Sequence, residues 1–402
     1  MYDRDISKID ASILRIPAVA TMIGAAWIIG ADVHVESLDD KYVEGLNQIK
    51  HVMKKWYPKL PFTSQLVTET VSNSCPAERF GLVFSGGLDS VTSYIKHIDK
   101  NLTLITVSGR GERISPYNRK ELNSFLPKQT THNLIETNVE QVLNLQYIDQ
   151  KFCLNWWINI AHGIVLTSLC APITCVEGIG TLFISSSFAV ESNFVWGSHP
   201  LVDNKIRWAN TKVVHDSFEL NRQKKIRFIL KKYIDETGKH PTLNVCSQYH
   251  VLGTNCQKCG KCSKTILGLL LEGIDPNRCG FNIDENTLNS IKQTLDNGQF
   301  FRRQKLAEKG LRKFNRIAGT DDWVDIQKMI PETIENSRYG EKQFFEWFKD
   351  FDIMKNVEES KLSQVPRLFL GSFFAVFDPL VNLFPSNLQK TVKQIEEMFL
   401  GD

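Results

Sequence analysis

The chain has 402 residues, 42% of them apolar and 23% charged, with a formal net charge of +3. Those values fit two or three globular domains and exclude a disordered or low-complexity chain. The near-balanced charge gives no drive toward nucleic acid or an acidic membrane.

The first ten residues, MYDRDISKID, carry three Asp before any apolar run, unlike the basic start of a secretory leader. A cytoplasmic chain with reduced thiols is therefore expected, and a disulfide framework is not. "IPAVATMIGAAWIIGADVHV" (16–35) is apolar enough to raise the question of a membrane span. Pro17, internal glycines and the run into Asp32 favour buried core. No other stretch is expected to span a membrane. "ADVHVE" then reads as a strand. "DDKYVEGLNQIKHVMKKWY" reads as a helix, capped by Asp39 or Asp40, with Tyr42, Leu46, Ile49 and Met53 on one face. Residues 1–76 form an N-terminal α/β extension on this reading.

Over residues 77–275 strands and helices alternate. "FGLVFS", "LTLITVS", "HNLIETNV", "TLFISSS" and "TKVVH" read as strands. "LDSVTSYIKHI", the apolar "WWINIAHGIVLTSLCA" and "FELNRQKKIRFILKKYI" read as helices. That rhythm predicts a parallel sheet with helices on both faces and a ligand at the carboxyl ends of its strands. Residues 276–402 read as mainly helical. "SNLQKTVKQIEEMF" has Ser386 as its cap, and "PRLFLGSFFAVFDPLVNLFP" is rich in Phe. These suit core packing or a subunit contact, with a homodimer or a cognate protein as the partner.

Two motifs carry chemistry. Between the first of those strands and its helix stands Ser85-Gly86-Gly87-Leu88-Asp89-Ser90. Paired glycines let backbone approach a ligand, and a helix start offers N–H groups and a positive dipole end, so the turn reads as an anion site. Ser85 and Ser90 add hydroxyls. Asp89 needs a cation beside it, a metal ion or a lysine. The turn lacks the spacing and the lysine of a Walker loop. Downstream, Cys246, Cys256, Cys259 and Cys262 include two C-x-x-C steps that share a cysteine. Four thiolates suit a closed structural Zn²⁺ site or an iron–sulfur cluster, zinc being preferred. Cys279 and the scattered cysteines read as buried small residues.

The turn resembles the S-G-G-x-D-S loop of the PP-loop ATP pyrophosphatase superfamily. Loop and cysteine knot together resemble the 7-cyano-7-deazaguanine (preQ0) synthase branch, over residues 78–272, roughly half the chain. The resemblance implies a nucleotide-binding fold of the adenine nucleotide α-hydrolase (HUP) type. It also implies cleavage of ATP to AMP and pyrophosphate, adenylation of a carboxylate or amide oxygen, and displacement of AMP by a nucleophile. Ser85, Gly86, Gly87, Leu88, Asp89 and Ser90 would then hold the pyrophosphate, with Asp89 positioning Mg²⁺. Ser108 and Arg110, after the second of the five strands, would lie by the adenosine.

The chain departs from that branch at both ends, where residues 1–76 and 276–402 are additional. It departs also where the substrate should sit. "NWWINIAHG" replaces the Arg-Asn pair, and "SSSFAVESNFVWGSHPLVDN" replaces the acidic, tyrosine-rich loop. An altered small-molecule, peptide or protein carboxylate is therefore expected. Ser186, Glu191 and His199 are the substrate-loop candidates, with Glu191 or His199 as acid or base, although "WGSHP" also reads as a structural turn. Arg222, Lys224 and Lys225 open the helix beyond the fifth of those strands, where one could reach a phosphate or all could form a solvated face. A tRNA-thiolating enzyme and a non-catalytic nucleotide sensor are the alternatives; nucleic acid is not favoured.

Overall fold

The computed structural model describes residues 1–109, 125–152, 154–192, 195–246, 254–302, 320–334 and 338–355. Its main sheet has six strands: β3 (Arg79–Val83), β4 (Thr103–Ser108), β5 (His132–Glu136), β6 (Ile179–Ser185), β7 (Arg207–Trp208) and β8 (Thr211–Asp216). Their order is β5-β4-β3-β6-β8-β7, parallel throughout except for the short edge strand β7. The five expected strands are all present. The chain leaves β3 to build one half of the sheet and returns beside β3 with β6, so strand order reverses between these two. Crevices at such a reversal, outside the carboxyl ends of the strands, take ligands.

The strands are short apolar runs because helices cover both faces of the sheet. Alternate residues go to opposite cores. Ile105, Leu182, Ile184 and Val213 pack on one side, against Ile16–Ile29, Asp40–Trp56 and the helix Trp157–Glu177. Leu82, Leu104 and Phe183 pack on the other, against Leu88–Lys96, the helix that begins at Arg222, Gly260–Leu271 and the C-terminal helices Thr320–Lys328 and Glu341–Asp350. The leading and trailing segments thus cover opposite faces of one sheet.

The leading segment is bound in by buried polar contacts. Its strand β1 (Val33–Asp39) pairs in parallel with β2 (Leu66–Val71), which the sequence did not signal. At the end of β1, Asp39 caps the next helix by accepting from Tyr42 N at 3.1 Å. Its second oxygen accepts from Ala209 N at 3.0 Å and from Asn73 Nδ2 at 3.1 Å. Tyr42 reaches Ser168 Oγ at 2.9 Å. A Cβ on Gly45 would collide with the Lys205 carbonyl, so glycine permits this helix to lie close against the chain before β7.

The stretch expected to be buried core is a buried helix, Ile16–Ile29. Trp157–Glu177 is long and apolar enough to cross a membrane, contrary to the expectation of no further candidate, yet 83% of its apolar window lies inside the protein. The cysteine reading needs a correction. Cys75 and Cys175 form a disulfide with Cα atoms 5.2 Å apart across a sequence separation of 100. They meet because the chain enters the neighbouring strands β3 and β6 at the same end. Cys170 and Cys279 are buried thiols as expected. Cys153, and the helices expected within residues 356–402, lie outside the described residues.

Asp39→Ala removes two buried hydrogen bonds and one part-buried one, and leaves the Ala209 N–H without its acceptor. A loss of about 3 kcal/mol is expected from denaturant unfolding. A loss below about 1 kcal/mol would mean that Asp39 does not hold the leading segment to the sheet.

Candidate functional site

β3 gives way at Phe84 to the turn, and the helix Leu88–Lys96 begins with Gly87 as its cap. No side chain caps that helix, so the N–H groups of its first turn remain open to an anion. Gly86 holds φ +72°, a conformation that favours glycine. The serines brace the turn. Ser90 Oγ accepts from Ser85 N at 3.3 Å and donates to Gly87 O at 3.1 Å, while Gly87 N donates to Ser85 Oγ at 3.3 Å. Leu88 is buried in the core and anchors the helix.

Asp89 meets its cation. Lys225 Nζ lies 2.8 Å from Asp89 Oδ1 and also donates to the Ser186 carbonyl. A lysine only 1% exposed is tolerable because it is paired. The Arg222 guanidinium lies 3.9 Å from Asp89 and 3.5 Å from Asp322, and donates to Thr265 Oγ1 at 3.3 Å. Lys264 closes on Asp322 at 2.7 Å. Burial pushes the Asp89 carboxyl up, but Lys225 and Arg222 outweigh it and leave Asp89 below the usual carboxylate range. Asn221 caps the helix that bears Arg222 and Lys225, accepting from Lys224 N at 2.8 Å. Of the three basic candidates there, Lys225 and Arg222 turn inward. Lys224 turns out to Glu191 at 2.7 Å.

Sequence reasoning missed Lys264 and Asp322. Lys264 had a signal, a lysine inside the otherwise apolar run "CSKTILGLLL". Asp322, in "TDDWVDIQ", had none.

The four cysteines converge. Their Sγ atoms all lie within 4.8 Å of one another, with Cys256–Cys262 and Cys259–Cys246 at 3.9 Å. A tetrahedral zinc with Zn–S bonds near 2.3 Å sets sulfurs about 3.8 Å apart, so the residues fit that ion. Asn255 frames the knot. Its side chain accepts from Val245 N and Cys246 N and donates to the carbonyls of Leu243 and Gly280. Next to this frame, Asn244 N donates to Gly86 O at 2.7 Å, so the knot is tied to the turn. Cys259 caps the helix Gly260–Leu271 that carries Lys264.

The substrate-loop candidates separate. Ser186 joins the site through its carbonyl on Lys225, and its N–H donates to Asp216 O at 2.8 Å. Glu191 is exposed and held below its usual range by the Lys224 hydrogen bond. His199 faces the other core, edge-on to Trp56 and Phe218, and its Nδ1 accepts from Leu201 N at 3.1 Å. Burial, and after it the neighbouring His215, pull its pKa down. Beside it, Asp203 accepts from Ser198 Oγ at 2.6 Å and pairs with His215 Nδ1 at 2.7 Å. His215 lies within a strand run and gave no sign of this role. Ser108 ends β4, buried, its carbonyl accepting from Thr137 N at 2.9 Å. Arg110 lies outside the described residues. A cleft of about 370 Å³ among the C-terminal helices, lined by Lys292, Arg338 and Tyr339, includes none of the turn's residues.

One further cluster fixes the turn's helix to β8. Asp216 accepts from Ser93 Oγ at 2.6 Å and Lys96 Nζ at 3.0 Å, and meets His97 Nε2 at 3.1 Å. Burial raises its carboxyl, and His97, Ser93 and Lys96 more than offset that, so it stays well below the carboxylate range.

Compared with known proteins, the chain matches no family model, no curated protein and no solved structure.

Purified chain is expected to carry about one zinc, without the visible absorbance of an iron–sulfur cluster. Cys256→Ser and Cys262→Ser should lose the metal and melt earlier; full melting stability without metal would deny the knot its structural role. For Asp216 the lowered folded-state pKa means stability present above its unfolded value of about 4 and lost on acidification. The stability gap between wild type and Asp216→Asn should shrink below about pH 4. A gap that ignores pH would show that the Asp216 charge contributes nothing.

Proposed function

We propose that the chain is an ATP-dependent adenylating enzyme of the PP-loop type, built on a HUP-type sheet, that forms a C–N bond at a carboxylate or amide. The observation that carries this reading is Lys225 Nζ at 2.8 Å from Asp89, beside an uncapped helix start at the strand-order reversal. The open N–H groups and the ammonium supply fixed positive potential where a pyrophosphate would leave. Zinc would be structural, since four thiolates close its coordination sphere. Asp89 would give Mg²⁺ an oxygen ligand beside the phosphates, as a hard cation prefers.

The chemistry runs in two balanced steps. A substrate oxygen attacks the α-phosphorus of ATP, the bond to the bridging oxygen of the β-phosphate breaks, and pyrophosphate departs with the electron pair. An amine or ammonia then attacks the activated carbon, the C–O bond breaks, AMP leaves with the electron pair, and the nitrogen gives up a proton to solvent. Lys225 and Arg222 offset the charge that builds on the departing pyrophosphate. Ser186 ties the substrate loop to this ammonium, so substrate and phosphate sites share one anchor.

The test incubates zinc-loaded protein with Mg²⁺-ATP and acceptors, and assays AMP, ADP and pyrophosphate separately. The acceptors are 7-carboxy-7-deazaguanine with ammonium, free amino acids, and bulk tRNA. AMP and pyrophosphate are expected with one carboxylate acceptor. Asp89→Asn or Lys225→Met should cut that by on the order of 10²–10³-fold with the fold retained. ADP in place of AMP would overturn the reading. AMP dependent on tRNA alone would replace C–N ligation with tRNA modification.

A further inference from the structure

Arg222 is held loosely beside the turn. A guanidinium carries five N–H donors. Arg222 donates to Thr265 Oγ1 at 3.3 Å, and its buried Nε faces Asp322 Oδ2 at 3.5 Å without closing to a short hydrogen bond. Its two carboxylates stand off at 3.5 and 3.9 Å. Lys225 and Lys264 flank it, and the three side chains are 12%, 2% and 10% exposed. Three cations in so dry a place repel one another, and among the described residues Asp89 and Asp322 stand within 4 Å of them as counter-ions.

The two carboxylates differ in origin. Asp89 belongs to the turn itself. Asp322 comes from Thr320–Lys328, a helix beyond the knot, and reaches in to Lys264 at 2.7 Å. Burial raises its carboxyl, and Lys264, Arg222 and Lys225 pull it back below the usual range, so it is a charged anion among the same three cations. The next turn of that helix already feels crowding. Asp325 is pushed up to about 6 by burial and by its neighbours Asp322 and Asp321. A polyphosphate brought to Arg222 and Lys264 would meet the like charge of Asp322 at close range.

Building on the phosphate-site reading above, we propose that Arg222, Lys225 and Lys264 form one pyrophosphate clamp, which Asp322 fills as an internal counter-ion until a polyphosphate displaces it. Asp322 stabilises the unliganded clamp and competes with the ligand. Its helix is thereby coupled to the phosphate site: polyphosphate binding frees it, and the absence of ligand draws it in. The ligand class is a linear pyrophosphate, free or at the end of a nucleoside triphosphate, because three spaced cations match several charged oxygens rather than one.

The test titrates inorganic pyrophosphate into the full zinc-loaded chain by calorimetry, for wild type, Asp322→Asn and Asp325→Asn. Asp322→Asn, near-isosteric, should bind about tenfold tighter, and Asp325→Asn should stay within about twofold of wild type. Asp322→Ser checks that any change follows the charge. Hydrogen exchange on wild type reads the displacement itself: pyrophosphate should slow exchange at 86–90 and speed it at 320–328. Equal or weaker binding by folded Asp322→Asn and Asp322→Ser, or unchanged exchange at 320–328 in the bound state, would overturn the counter-ion role and leave the phosphate site standing. No binding of pyrophosphate by any of the chains would overturn the phosphate site together with this inference.

Discussion

The ion pair between Asp89 and Lys225 is the contact on which the site depends. A lysine this buried is costly unless its charge is answered, and Asp89 answers it from the first turn of the helix after β3. The pair fixes the helix beyond β8 against the turn. Through the Ser186 carbonyl it also fixes the segment after β6. Three strands therefore deliver their carboxyl ends to one ammonium. Asp216 repeats the device one step away, holding Ser93, Lys96 and His97 of the turn's helix against β8. Because both carboxylates lie on the side of the sheet that carries the turn, rigidity and positive potential are concentrated where strand order reverses.

The additional segments do different work on the two faces. Residues 1–76 thicken the face away from the turn, pinned by Asp39 and Tyr42. They bring Trp56 against His199, so the leading segment borders the region around His199, Asp203 and His215. The C-terminal helices cover the other face and send one carboxylate, Asp322, in to Arg222 and Lys264. The cysteine knot stands between. Asn255 frames it, Asn244 ties it to Gly86, and the helix it starts carries Lys264 and Thr265 to Arg222. A metal in the knot would therefore steady the proposed phosphate site without touching it.

What could be read from the sequence was whatever chemistry lies in one continuous stretch. The turn, the convergence of the four cysteines and the five apolar strands are local patterns, and the parallel sheet follows from their alternation with helices. What could not be read arises from pairs distant in sequence. Cys75 and Cys175 meet only because β3 and β6 are neighbours, and expecting reduced thiols because no secretory leader was read missed them. Asp322 is one acidic residue in an acidic helix until the fold sets it beside Lys264. β2 and the two-residue β7 are too short or too polar to announce themselves. Among the basic residues 222, 224 and 225, helical phase alone could not say which would face inward. Glu191 and His199 shared a loop in sequence and separate in space, one to a surface pair with Lys224, the other to the opposite core.

The most direct measurement is a crystal structure of the zinc-loaded chain with Mg²⁺ and the α,β-methylene analogue of ATP, in which the bond to be cleaved cannot break. The account predicts the β- and γ-phosphates on the N–H groups of 86–90, with Lys225 and Arg222 on their oxygens and the α-phosphate facing the segment after β6. An analogue bound elsewhere, or one whose γ-phosphate alone enters the turn with the α-phosphate turned away from Ser186, would contradict it.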